Sequence, residues 1–156
     1  MLVFSEYQTD TIDLALDFYG YEDCPKNYEF GPSVRDNFVL HYITKGKGVL
    51  HFNKKEIHLE AGDLFLLPKN MVTYYKADEE EPWSYYWIGI SGTKVSDFMR
   101  FSTLHEKGFL KKTEVETEKI GQFMEQLVHK AEASKMTSHY QLHLLSQIYE
   151  LLYLIG

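Results

Sequence analysis

From Phe38 to Ile90 the sequence is a run of short β-forming segments separated by Gly, Asn and Pro, without helical periodicity. Strands of this length, broken at this spacing, are typical of a β-sandwich or a small barrel. Residues 46–48 and 53–55 have the composition of tight turns. The first part of the chain is therefore predicted to be a sandwich or barrel, with strands at 38–44, 49–53, 56–59, 64–67, 72–77 and 83–90.

After Gly92 the hydrophobic pattern changes to a helical period, with Val95, Phe98 and Met99 on one face. A second helix is predicted over 120–131 and a third over 138–155. The apolar residues of the third helix cover more than half of its circumference, so one face needs a partner besides its own barrel. The fold class is therefore predicted to be α+β, mainly β.

The chain has 156 residues, the size of one domain, and its 16 basic and 23 acidic residues leave a net charge of −7. This balance argues against nucleic-acid binding by this segment alone, because such binding draws most of its affinity from Lys and Arg. Cys24 is the single cysteine, so an intrachain disulfide is excluded and a reducing cytoplasm is expected. No apolar stretch reaches the length of a membrane helix, so we expect a soluble protein without a membrane partner.

Four sequence blocks carry a resemblance to a known family. They are Arg-Asp-Asn-Phe-Val-Leu-His-Tyr at 35–42, Gly-Lys-Gly at 46–48, Ala-Gly-Asp-Leu-Phe-Leu-Leu-Pro at 61–68 and Pro-Trp-Ser-Tyr-Tyr-Trp-Ile at 82–88. In this order and spacing they resemble the sensor domain of AraC-type transcription regulators, in particular the branch that controls sugar use, such as raffinose and multiple-sugar operon regulators. The resemblance covers nearly the whole chain.

The resemblance implies a cupin (double-stranded β-helix) barrel followed by C-terminal helices. Residues 1–92 would form the barrel and an N-terminal arm that can fold over a bound sugar. Residues 93–156 would form a helical segment, packed on the barrel, that pairs two subunits. The resemblance further implies that helix-turn-helix motifs bind DNA, and we expect these motifs to be absent from this chain. The expected function is ligand sensing and dimerisation in a carbohydrate-responsive transcription regulator, with a small-molecule sugar as effector.

The competing hypothesis is a small cupin enzyme, such as an isomerase or dioxygenase, that acts on a sugar or a small acid. Cupin enzymes hold a metal ion with His and Glu side chains from two sequence blocks. Here those positions carry Arg35, Asn37, Val39 and Thr73, which are not the imidazole and carboxylate ligands that such an ion needs. We therefore expect no metal, no cofactor and no catalytic residue. A dimerisation module whose barrel is filled by its own side chains is a third possibility.

Aromatic residues make up 15% of the chain, more than a core of this size needs, so some of them are expected to line a pocket. A sugar offers an apolar face for ring stacking and a rim of hydroxyl groups that need polar partners. A guanidinium aimed into a barrel is costly unless something accepts its hydrogen bonds. The resemblance places pocket residues at Tyr75, Tyr85 and Trp87. The candidate ligand-binding residues are Arg35, His41, Tyr75, Tyr85, Trp87 and Glu22.

The candidates other than Arg35 also have a structural interpretation. Aromatic side chains fill small barrels without binding anything, and this interpretation is preferred for Trp83 and Tyr86. The Tyr75 hydroxyl can instead satisfy the barrel backbone, and His41 can be a core histidine with its own partners. Glu22 can be a solvated carboxylate on the arm or on the strand that follows.

Pairing of two copies is predicted to use the third helix, because its apolar residues spread beyond the stripe that one barrel face covers. The alternative is that this helix packs wholly on its own subunit. The predicted seam consists of residues on neighbouring turns that meet their own copies across a two-fold axis. These residues are Leu144, Ile148, Leu151 and Ile155.

Overall fold

Within residues 2–6, 13–133 and 138–156, the part of the chain that the computed structural model describes, ten strands form two antiparallel sheets. The strands are β1 (Leu2–Glu6), β2 (Ala15–Asp23), β3 (Glu29–Ser33), β4 (Phe38–Lys45), β5 (Lys47–Phe52), β6 (Lys55–Glu60), β7 (Leu64–Leu67), β8 (Thr73–Ala77), β9 (Ser84–Ser91) and β10 (Phe109–Leu110). The first sheet has the strand order β1-β2-β9-β4-β7-β10, and the second has the order β3-β8-β5-β6.

Side chains alternate between the two faces of the first sheet, as the strand period of two requires. In β4, Val39 and Ile43 point toward the second sheet, whereas Phe38 and Leu40 point the other way. The residues between the two sheets, among them the fully buried Trp83, form an inner core. The residues on the outer face of the first sheet form an outer core with the helices. The inner core is the part of the molecule that surrounds the candidate site.

Four helices lie among the described residues: α1 (Thr93–Arg100), α2 (Thr103–Lys107), α3 (Glu118–Ala133) and α4 (Ser138–Ile155). Short α2 is fixed at both ends by its sequence. The Ser102 side chain accepts a hydrogen bond from the backbone N–H of Leu104, and Gly108 closes the helix at a φ of 85°, a conformation that glycine adopts without strain. None of the four helices just described combines the length and the hydrophobicity that a membrane span requires.

The prediction of an α+β fold, mainly β, with a cupin barrel followed by C-terminal helices is confirmed. The predicted strand at 64–67 has the bounds of β7, and the predicted helix at 138–155 has those of α4. Strands β1, β2, β3 and β10 and helix α2 were not predicted. Strands β2 and β3 were missed because β2 contains a register shift between Leu16 and Phe18 and Gly31-Pro32 interrupts β3, so neither strand shows clean alternation.

The four residues predicted for the dimer seam on α4 are wrong. Leu144, Ile148 and Leu151 have no exposed surface and Ile155 is 6% exposed, because all four pack in the outer core of their own subunit. A helical stripe shows which residues are covered, but not whether the cover comes from the same chain. The apolar residues that α4 does leave exposed lie on another face.

Candidate ligand-binding site

A cavity of about 360 Å³ lies between the two sheets. Small-molecule sites in proteins occupy about 300–1,000 Å³, so this cavity has the size of a site for a small ligand. Both sheets contribute to its wall, as does the segment between β3 and β4. All six residues predicted from the sequence line it, namely Arg35, His41, Tyr75, Tyr85, Trp87 and Glu22.

Strand pairing brings these residues to one place. Across the first sheet, Trp87 on β9 lies opposite His41 on β4, and Tyr85 lies opposite Glu22 on β2. In the second sheet, Tyr75 on β8 lies opposite Phe30 on β3, and the two rings stack with centroids 5.4 Å apart. The cavity wall is therefore built on paired strands, which are more rigid supports than loops.

Arg35 precedes β4, and its carbonyl oxygen accepts a hydrogen bond from the backbone N–H of Asn70. Its guanidinium carbon lies 4.7 Å from the Phe30 ring centroid and 5.8 Å from that of Phe18, which is the geometry of a cation–π contact. Its Nε is buried and has no hydrogen-bond partner in the described part of the chain. A buried charged donor without a partner is costly, so this arrangement favours a ligand that accepts a hydrogen bond.

His41 is 2% exposed and enclosed by rings. Its imidazole stacks on Phe65 at a centroid distance of 4.2 Å and meets Tyr85 edge-on at 4.9 Å. Burial, reinforced by the positive charge of Arg35, lowers the pKa of His41 to about 3, so the ring is neutral at physiological pH. Its Nδ1 is buried without a hydrogen-bond partner among the described residues.

The hydroxyl groups at the cavity stay protonated. Burial raises the pKa of both Tyr75 and Tyr85 above the usual range for tyrosine. Burial also raises the pKa of the nearby Cys24 thiol to about 12, which makes it a poor nucleophile. Glu22 is half-buried, and burial raises its pKa as well. The cavity therefore offers a cation, a carboxylate and neutral hydroxyl groups among aromatic faces.

Sequence reasoning did not list four of the wall residues as candidates: Phe18, Tyr28, Phe30 and Val39. The signal for Phe18 was the spacing of two to Gly20 and Glu22, which continues a strand face into the cavity. Gly89 on β9 makes room for Phe18, because a Cβ at Gly89 would clash with the Phe18 ring.

The two aromatic residues that were assigned to the barrel filling differ from each other. Trp83 is fully buried in the inner core and stacks on Phe65, as expected. Tyr86 does not fill the barrel, because it points to the outer face of the first sheet. There its hydroxyl lies 3.4 Å from Glu125 and 3.3 Å from His129 of α3.

The positions that hold a metal in cupin enzymes have other surroundings here. The Asn37 amide donates to Asp17 at 3.4 Å, Thr73 is buried in the second sheet, and Arg35 and Val39 lie in the cavity wall. Among the described residues, no group of three His, Cys, Asp or Glu side chains is placed to hold a metal ion.

A cupin barrel around a cavity of this composition belongs to the class of small-molecule binding domains. The chain is a member of the AraC-like ligand binding domain family, whose model matches residues 15–152.

Two relatives show how much of a longer protein this domain represents. The Msm operon regulatory protein of Streptococcus mutans is 46% identical over 105 residues, which are 67% of this chain and 38% of the regulator. The raffinose operon transcriptional regulatory protein RafR of Pediococcus pentosaceus is 41% identical over 100 residues, which are 62% of this chain and 36% of the regulator. The match therefore spans little more than a third of the length of these regulators.

A solved structure shares the fold. The protein YhaK from Escherichia coli superposes with a TM-score of 0.51 at 14% sequence identity, covering 59% of this chain and 45% of YhaK. At this identity the likeness concerns the fold alone.

Proposed function

We propose that this chain is the ligand-sensing and dimerisation domain of a carbohydrate-responsive transcription regulator, and that it binds a sugar in the cavity between the two sheets. Residues 1–92 supply the arm and barrel that hold the sugar, and residues 93–156 pair two subunits. DNA is bound by a separate domain of the full-length regulator. Two relatives support this role, because both are named as regulators of operons and one of those operons serves raffinose.

The observation that carries the proposal is the pairing of ring faces with unpartnered polar atoms in one cavity. Trp87 and Tyr85 line the cavity with aromatic rings, and the C–H face of a sugar stacks on rings of this kind. Arg35 Nε and His41 Nδ1 are buried without hydrogen-bond partners in the described part of the chain. A barrel that was merely filled by its own side chains would be expected to pair these atoms internally.

Sensing follows from differential affinity. A sugar that binds one arrangement of arm and helices more tightly than another shifts the population toward that arrangement, and only this difference in affinity changes the output. Strand β9 links the two regions, because Tyr85 and Trp87 face the cavity while Tyr86 between them faces α3.

Isothermal titration calorimetry against a panel of mono- and oligosaccharides tests the binding function. We expect the wild-type domain to bind at least one sugar, and Arg35→Leu to bind it about 10- to 100-fold more weakly, because a hydrogen bond to a charged group contributes about 1.5–3 kcal/mol. The matched control is Arg100→Leu, which removes an arginine that lies far along the chain in an exposed ion pair with Asp97. Absence of binding to every sugar of the panel, or equal sugar affinity in Arg35→Leu and Arg100→Leu, would contradict the proposal.

Trp87→Leu gives a second readout of the same site. Because Trp87 lies in the cavity wall, sugar binding should change the intrinsic tryptophan fluorescence of the wild type, and the variant should bind more weakly while keeping its fold. Unchanged affinity in the folded variant would return Trp87 to a purely structural role.

For dimerisation we propose the exposed face of α4 as the seam. Leu142 and Tyr153 are 71% and 78% exposed and Tyr149 is 46% exposed, and their spacing puts them on one stripe of the helix. A second copy related by a two-fold axis would cover this stripe with its own equivalent.

Light scattering at tens of micromolar tests this seam. We expect the wild type and Val72→Glu, a matched change at an exposed position outside the helices, to be dimers and Tyr153→Glu to be a monomer. Ile148→Glu is unsuitable here because it would place a charge in the outer core. A wild-type monomer, or a Tyr153→Glu dimer as tight as wild type, would show that the seam lies elsewhere.

A further inference from the structure

The two charged groups of the cavity wall have opposite hydrogen-bonding capacities. Arg35 can only donate, whereas an ionised Glu22 can only accept. Both line the same cavity, yet no ion pair joins them among the described residues. Neither group is therefore satisfied by the other.

We infer that Glu22 is a specificity-determining residue that restricts the cavity to uncharged, polyhydroxylated ligands and excludes sugar acids and sugar phosphates. This inference rests on the proposed function and deepens it. A hydroxyl group both donates and accepts, so a neutral sugar can accept from Arg35 and donate to Glu22. No charged substituent serves both residues in this way.

An anionic ligand meets an unfavourable partner at this site. A phosphate monoester carries a charge between −1.5 and −2 at pH 7 and offers only acceptor oxygens apart from any remaining proton. It can satisfy Arg35, but it brings like charge toward Glu22 and donates no hydrogen bond to that carboxylate. A sugar acid does the same with one charge. An amino sugar reverses the conflict, because its ammonium group suits Glu22 and is repelled by Arg35.

The surroundings strengthen this discrimination. Tyr85 lies opposite Glu22 across the β2–β9 pairing, and Phe30 lies beneath the Arg35 guanidinium. Aromatic walls lower the local dielectric, so charges in the cavity interact more strongly than they would in water. In a cavity of about 360 Å³, a ligand therefore binds best when it accepts from Arg35 and donates to Glu22 without adding a charge of its own.

Calorimetric titrations with glucose and galactose, their 6-phosphates and their uronic acids test the inference in the wild type without any variant. We expect a neutral hexose to bind at least about tenfold more tightly than its own phosphate or uronic acid. This difference reflects the repulsion between Glu22 and the anionic group, partly screened by solvent. Equal or tighter binding of the anionic forms would overturn the inference and leave the proposed sugar-binding function standing. Absence of binding for these probes and for every sugar of the mono- and oligosaccharide panel would overturn the proposed function, and this inference with it.

Glu22→Gln assigns the preference to the residue, since glutamine keeps the shape and removes the charge. We expect the affinity for the uronic acid to approach that for the neutral hexose, so that the ratio of the two dissociation constants decreases by about tenfold. The matched control is Glu29→Gln, which makes the same charge change at an exposed residue paired with Lys76 outside the cavity. This variant should leave the ratio of the two dissociation constants unchanged. An unchanged ratio in a folded Glu22→Gln domain, or an equal decrease of the ratio in Glu29→Gln, would overturn the role of Glu22.

Discussion

Replacement of His41 by phenylalanine should remove a large part of the acid sensitivity of this domain. The wild-type imidazole is enclosed by Phe65, Tyr75 and Tyr85, and burial followed by the charge of Arg35 lowers its pKa to about 3. In the unfolded chain the same ring titrates near 6.5. Below pH 6.5 the unfolded state therefore binds a proton that the folded state does not bind, and the free energy of unfolding decreases as the pH decreases.

The size of the effect follows from this difference in proton uptake. Stability due to His41 is complete above about pH 7 and is lost as the pH drops through 6.5 toward 3. Between pH 7 and pH 5 the unfolded chain gains most of one proton at this site and the folded chain gains almost none. Integrating the proton uptake over this interval gives a loss of about 2 kcal/mol.

Urea unfolding at pH 7, 6 and 5 and constant salt measures this loss. We expect the free energy of unfolding of the wild type to fall by about 2 kcal/mol more than that of His41→Phe between pH 7 and 5. His51→Phe, at an exposed histidine, should follow the wild type. Parallel curves for wild type and His41→Phe would mean that the folded cavity accepts the proton, which would refute the described burial of His41.

Two further predictions concern the stability of the fold. Gly89→Ala should destabilise the fold by about 1–3 kcal/mol, because the added Cβ displaces the Phe18 ring, and urea unfolding with unchanged stability would contradict that contact. Asp63→Ala should cost about 2 kcal/mol, since its buried carboxylate accepts hydrogen bonds from the backbone N–H groups of Glu60 and Lys112, and a thermal melting temperature equal to that of the wild type would contradict this anchoring role.

Hydrophobic periodicity predicted the regular part of the fold. The apolar run Leu64–Leu67 is buried on both faces, between the inner and outer cores, and so shows a strand with clear bounds. Strand β2 was missed because a register shift after Leu16 changes which face each residue occupies. Its side chains reach the cavity only through pairing with β9, a long-range contact that local pattern does not contain.

The sequence predicted the residues of the candidate site better than it predicted which side chains pack against the helices. A spacing of two along β9 places Tyr85 and Trp87 on one face, and the structure brings both to the cavity together with Arg35, which is far away in the sequence. Local spacing does not show which face of a strand is the interior, so Tyr86 was assigned to the barrel although it packs under α3. The same limit placed the dimer seam on residues such as Ile148 that belong to the outer core.

The central claim is that a neutral sugar binds between the two sheets. A crystal structure of the domain with the hexose that binds most tightly in the titrations tests it most directly. The account predicts electron density for the sugar in the cavity, with its hydroxyl groups hydrogen-bonded to Arg35 and Glu22 and one face of the sugar ring against Trp87. Density for the sugar only on the outer surface of either sheet, with the cavity side chains packed as they are without ligand, would contradict it.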